Sequence, residues 1–139
     1  MIRLPALALL MTATVAQATT GTVFRDLDPD TADLSDYRGS ERLVVIFAPS
    51  LDDPKMKQAL AALRLAEPGL DDRDVVVLTD TSPEADSLMR EKLNPEGFTM
   101  LLVGKDGGIK MRTQDVMSPE EIFATIDAMP MRRQEMQED

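Results

Sequence analysis

Ile46-Phe47-Ala48-Pro49-Ser50-Leu51-Asp52-Asp53-Pro54-Lys55-Met56 decides the architecture, because a strand end, a loop and a helix start follow one another within it. The run that leads into it, Leu43-Val44-Val45-Ile46-Phe47, is unbroken, apolar and rich in β-branched side chains, the pattern of a strand covered on both faces. Pro49 and Ser50 break that run. Asp53-Pro54 then pairs a helix N-cap with proline at the first helical position, where a missing N–H costs nothing. The stretch predicts a central strand over residues 42–48, a short loop at its carboxyl end, and a helix over residues 54–66. On that helix Met56, Ala59, Leu60 and Leu63 recur at helical spacing, while Lys55, Lys57, Gln58 and Arg64 point elsewhere.

Further along, Pro68-Gly69 is expected to stop the helix, and Val75-Val76-Val77-Leu78 reads as a second buried strand. A helix between two buried strands makes them parallel neighbours in a right-handed crossover. Ser82-Pro83-Glu84 repeats the cap-and-proline signature and predicts a helix reaching Leu93, with Leu88 and Met89 on its inner side. Residues 99–103 and 109–112 flank Gly104-Lys105-Asp106-Gly107-Gly108, which predicts an antiparallel hairpin. Ser118-Pro119-Glu120-Glu121 is a capping box of the S-x-x-E kind; it opens a last helix with Ile122, Phe123, Ile126 and Met129 available for burial, and Pro130 is expected to close it. The order β-α-β-α-β-β-α predicts an α/β domain, a four-stranded mixed β-sheet with helices on both faces.

The ends of the chain read differently. Met1-Ile2-Arg3, an apolar stretch to Val15, and Ala16-Gln17-Ala18 form the positive, apolar and small-x-small succession of a secretory signal peptide, expected to be cleaved after Ala18. The apolar stretch is shorter than the roughly 20 residues of a membrane-spanning helix, so a periplasmic or secreted protein is expected, with no membrane insertion after cleavage. Residues 19–32 read as a polar lead-in with little regular structure, residues 33–130 as the domain, and residues 131–139 as a charged tail.

Composition narrows the chemistry. There is no Cys and no His in 139 residues, which removes thiolate nucleophiles, disulfides, imidazole bases and the usual zinc ligands. Thiol-disulfide exchange and thiol peroxidase chemistry are thereby excluded. The formal charge is -10, and the first 18 residues hold one Arg and no acid, so the mature chain would carry 14 basic against 25 acidic groups, or -11. Such a surface repels nucleic acid and anionic lipid.

The predicted element order is that of the thioredoxin fold, and the opening stretch resembles the thioredoxin active-site segment, in which strand, Ala, loop, a C-x-x-C pair and helix succeed one another. Aligned without gaps, Leu51 and Pro54 occupy the two cysteine positions. Leu34-Ser35-Asp36-Tyr37-Arg38-Gly39 resembles the lead-in of peroxiredoxins and periplasmic thioredoxin relatives. Gly97-Phe98-Thr99 stands where those families place a cis-proline, with Phe98 in its stead, and Val45 stands where thioredoxins keep a buried Asp. Within this superfamily the chain is similar to the bacterial domain-of-unknown-function family 4174, related to the DUDES domains of animal sushi-repeat and matrix proteins. Residues 43–49, 97–110 and 118–136 carry the match, the last including Asp127-Ala128-Met129-Pro130-Met131-Arg132-Arg133-Gln134-Glu135-Met136. The resemblance implies a thioredoxin-like fold without paired cysteines, and it supplies no established activity.

The loop end of that scaffold, Pro49, Ser50, Leu51, Asp52 and Asp53 with Gly97, Phe98 and Thr99, is the candidate binding surface, Leu51 and Phe98 being expected to present apolar side chains at the ancestral substrate groove. The expected function is a non-redox interaction module whose partner is an envelope protein or peptide, with no catalytic residue, cofactor or metal assigned. The alternative is a non-thiol enzyme or weak metal binder using Asp52 and Asp53, adjacent carboxylates where ligands commonly bind in open α/β folds. Capping and the positive helix end explain the same two acids without chemistry. Asp26-x-Asp28-x-Asp30 opens like a calcium loop, yet Thr31 and Tyr37 stand where Gly and a bidentate Glu are needed. Met129, Met131 and Met136 are soft donors suited to Cu(I), and equally suited to filling apolar gaps. Lys105-Asp106-Gly107-Gly108 lacks phosphate-loop spacing and reads as a hairpin turn.

Overall fold

The computed structural model describes residues 23–138. Its five strands are β1 (Phe24–Asp26), β2 (Arg42–Phe47), β3 (Val75–Asp80), β4 (Thr99–Val103) and β5 (Ile109–Thr113), and its helices are α1 (Pro54–Leu65), α2 (Glu67–Asp72), α3 (Leu88–Leu93), α4 (Pro119–Asp127) and α5 (Pro130–Glu138). The sheet order is β1-β3-β2-β4-β5. β2 and β3 run parallel with Val44 opposite Val77, β4 runs antiparallel to β2 with Val45 opposite Leu101, and β4 and β5 form the expected hairpin.

Alternation along β2 feeds two cores. Val44 and Ile46 join Val77, Met100 and Leu102 beneath Met56, Ala59 and Leu63 of α1 and Ile122 and Ile126 of α4. Leu43, Val45 and Phe47 join Leu78, Leu101 and Val103 beneath Met89 of α3, with Leu34 and Tyr37 alongside. Helices thus cover both faces, which is why β2 reads as a continuous apolar run instead of an alternating one.

Two caps act as the sequence predicts. The Asp53 carboxylate accepts from Met56 N at 3.1 Å with Pro54 at N1, and Ser118 Oγ accepts from Glu121 N at 3.2 Å.

Other expectations need correction. Among the described residues the sheet has five strands, because Phe24–Asp26, inside the stretch read as a lead-in, pairs in parallel with β3. Three residues of mixed polarity at a sheet edge carry no periodic signal. Pro68 and Gly69 do not end the helical region; Pro68 sits in the first turn of α2, where it is tolerated. Ser82-Pro83 opens only a 3-10 turn over Pro83–Ala85, and α3 starts six residues after Ser82, at Leu88, capped by Ser87. Its Leu88 is exposed and Met89 is buried. Pro130 ends nothing: it opens α5, so most of the residues read as a charged tail form a helix. The signal-peptide reading lies outside the described residues.

Candidate functional site

The loop between β2 and α1 sits at the carboxyl ends of the two central parallel strands. Pro49, Ser50 and Asp52 are exposed there, and Leu51 stands 65% exposed. Asp52 and Asp53 do not converge as an acid–base pair. Asp53 is turned into its cap, and the Asp52 carboxylate, 93% exposed, faces Lys57 at 3.8 Å. On the neighbouring loop Gly97 adopts φ +61°, a backbone conformation that favours glycine. Phe98, expected at the groove, is 6% exposed and belongs to the core beneath α1 and α4. Apolar burial decides its orientation, leaving Leu51 as the exposed apolar group of the pair. Thr99, 1% exposed, lines an open crevice of about 470 Å³ with Leu93, Asn94, Glu96 and Arg112, and among the described residues its hydroxyl has no hydrogen-bond partner.

Asp80 at the end of β3 is buried and helps hold three elements together. Its carboxylate accepts from Ser87 Oγ at 2.7 Å and Ser82 N at 3.1 Å, and it pairs with Arg90 Nε at 3.1 Å. Arg90 Nη2 donates in turn to the carbonyls of Ala48 (2.8 Å) and Asp80 (3.0 Å), and its guanidinium lies 5.4 Å from the Phe47 ring centre. Asp80, Ser87 and Arg90 are therefore engaged in fastening β2, β3 and α3 to one another.

A larger charge network lies at the opposite end of the sheet. Arg42, fully buried at the start of β2, donates through Nη1 and Nη2 to both oxygens of Glu135 on α5 (3.1 and 3.0 Å) and through Nη1 to Arg73 O (2.9 Å). Lys105 reaches Glu135 at 2.9 Å and Asp74 at 2.8 Å. Arg132 reaches Asp72 at 2.8 Å and Asp127 at 3.2 Å, while Arg73 makes a two-pronged contact with Asp127 and packs 4.0 Å from the Phe123 ring centre. Partial burial pushes the Glu135 carboxyl up, but hydrogen bonds from Arg42 and Lys105 and their charges outweigh it and hold the group at about 2. Hydrogen bonding from Arg73 lowers Asp127 against its own desolvation.

The metal readings find little support. Asp26 accepts from Thr79 Oγ1 at 3.3 Å, and Asp28 accepts from Asp30 N at 2.9 Å in a local turn. Among the described residues no group of three or more acids is placed to hold a metal ion. Met129 packs against the core, and Met131 and Met136 are exposed on α5.

Residues 33–135 match the family described as a domain of unknown function, DUF4174. The chain belongs to that family. It is 28% identical over 120 residues to the rat sushi repeat-containing protein SRPX, covering 74% of this chain and 26% of that protein. It is 32% identical over 133 residues to the zebrafish coiled-coil domain-containing protein 80, covering 74% and 15%. The DUF4174 chain thus spans about a quarter or less of these relatives. Among solved structures, the Plasmodium vivax 2-Cys peroxiredoxin superposes with a TM-score of 0.56 at 14% identity, over 73% of this chain and 84% of that one. Plasmodium yoelii thioredoxin peroxidase I superposes with 0.53 at 17% identity, over 76% and 81%. These likenesses establish a thioredoxin-type fold.

Neither charge network of the DUF4174 domain was visible as a site in the sequence. Asp80 ends an apolar run and Ser87 precedes a helix, which signals a strand end and a cap but not their meeting. Arg42 and Lys105 flank strands as unremarkable surface cations would. Arg132 and Glu135, three residues apart, share a helical face, and only that spacing hinted that the tail had an inner side.

Proposed function

We propose that this protein is an exported, non-redox member of the thioredoxin-like fold that works by binding a protein or peptide at the carboxyl end of its sheet. The observation that carries the reading is Thr99: a buried hydroxyl without a hydrogen-bond partner among the described residues, in the wall of an open crevice that it shares with Leu93, Glu96 and Arg112. An unpaired buried hydroxyl costs about 1–3 kcal/mol, a cost that a partner's backbone entering the crevice would relieve. Gly97 leaves the approach free of a side chain, and Leu51 offers an apolar contact at the loop tip. Export through a leader cleaved after Ala18 completes the reading; it is supported by the charge, apolar and small-residue succession of residues 1–18. The expected location is the periplasm or the extracellular medium.

The test is Thr99→Val, which keeps the shape and removes the hydroxyl. It is expected to leave the fold as stable or more stable by about 1 kcal/mol, while weakening capture of a partner by a photo-crosslinker placed at residue 51. A crosslinker at Leu65, on α1, serves as the control position. A clear loss of stability in Thr99→Val would show that the hydroxyl is already satisfied within the fold. Equal capture from positions 51 and 65 would remove the loop from the binding surface.

A further inference from the structure

β5 closes one side of the sheet, and among the described residues no strand pairs with its outer edge. Beside it, on the α3 face, lies a groove of about 390 Å³. Its floor holds Leu93, Leu101 and Val103, and Ile109 of β5 is half exposed over it. Arg38 and Lys92 stand on the rim of this groove, and Arg112 lines the crevice that continues from it to Thr99; Leu93 belongs to both. Gly107 (φ +81°) leaves Arg38 room, since a Cβ there would lie 2.7 Å from Arg38 Nε. Cations grouped around an apolar trough are notable on a chain of net charge -10. Two acids share this surface: Glu96 lines the crevice, and Asp33 lines the groove, its pKa lowered chiefly by hydrogen bonds from Ser35 Oγ and N, at 2.6 and 2.9 Å, and less by Arg38 and Lys92.

We infer that this trough takes an extended acidic peptide segment, added along β5, with apolar side chains seated on Leu93 and Ile109 and carboxylates held by Arg38 and Lys92. A free strand edge supplies backbone pairing and a trough selects alternate side chains, the general mode of strand addition. Complementary charge selects the acidic partner over a second copy of this chain. In edge-to-edge self-pairing Arg112 of one β5 would approach that of the other, Lys110 being held by Asp106 at 2.8 Å, and like charges across strands are destabilising. The inference rests on the interaction reading above and names the chemistry of its partner.

The experiment uses the purified exported protein and a fluorescent peptide alternating Glu and Val, followed by anisotropy at low salt, with a Lys-Val peptide as comparison. The Glu-Val peptide is expected to bind and the Lys-Val peptide not to. Added salt should weaken the binding, and Arg38→Glu with Lys92→Glu should reduce it about tenfold or more. Lys92→Gln, a milder change, should reduce it in part without altering the thermal transition. No binding at about 1 mM, equal binding of both peptides, or unchanged affinity in the charge-reversed protein would overturn the assignment. So would a dimer in sedimentation that Ile109→Glu dissociates, since that gives the edge to a second copy. If capture from residue 51 persists while the peptide fails to bind, the groove assignment falls and the loop reading stands.

Discussion

Replacing Glu135 by Gln keeps the side chain's shape and removes the charge on which Arg42 and Lys105 converge. The carboxyl is held at about 2 against an ordinary 4.5, a difference equivalent to ~3 kcal/mol. Glu135 is 23% exposed, so water screens part of that, and about 2 kcal/mol is the expected loss. For a domain of this size the loss corresponds to a fall of about 10 °C in melting temperature, measured by circular dichroism near neutral pH. The pH dependence gives the sharper test. The folded pKa lies below the unfolded one, so the wild-type advantage is complete above about 4.5 and disappears as pH falls through about 2. Other lowered carboxylates, Asp127 among them, are present in both proteins and largely cancel in the comparison. A gap under about 0.5 kcal/mol at neutral pH, or one that does not narrow in acid, would refute the reasoning.

Phe98→Ala should cost about 3 kcal/mol in urea unfolding, as expected for a core aromatic, whereas Leu51→Glu on the exposed loop should change stability by less than about 0.5 kcal/mol. Gly69→Ala places a Cβ 2.7 Å from Phe123 Cζ, whose ring packs against Arg73. Overpacking at about 1–3 kcal/mol outweighs the ~1 kcal/mol that alanine gains in a helix, so a lower thermal midpoint is expected. Expressed from Met1 in a Gram-negative host, the protein should on the export reading appear outside the cytoplasm with Thr19 as its first residue by amino-terminal sequencing; an intact Met1 would end that reading.

The parts legible in the sequence share one property: a few contiguous residues carry the whole signal. Leu43 to Phe47 shows a doubly covered strand because both faces of β2 meet helices, and Asp53-Pro54 and Ser118-x-x-Glu121 show helix starts because capping is local. β1 was missed because its strand pairing comes entirely from β3, some fifty residues later. α5 was missed because its polar composition resembles a solvated tail; its inner face is ionic, with Arg132 buried and Glu135 between Arg42 and Lys105. Phe98 was misplaced for a related reason. Alignment to a redox scaffold set it in a substrate groove, but a large apolar side chain is more stable in the core, where Phe98 lies.

The Arg42–Glu135 contact spans 93 residues, tying the start of the central strand to the last described helix. In a chain without cysteine, that contact is a long-range link between distant parts of the sequence that no disulfide supplies. The two devices differ in physics. A disulfide acts largely by restricting the unfolded chain, so its contribution varies little with pH. An ion pair leaves the unfolded chain free and acts only in the native state, where Arg42 has already lost its water. Its cost and its benefit therefore both depend on the protonation of Glu135. Acid should loosen α5 before it disturbs β2, since the strand is held by apolar contacts on both faces and α5 by charge. Protection factors of α5 amides, taken relative to intrinsic exchange at each pH, that fall below pH about 4.5 while those of β2 persist are the pattern this division of forces requires.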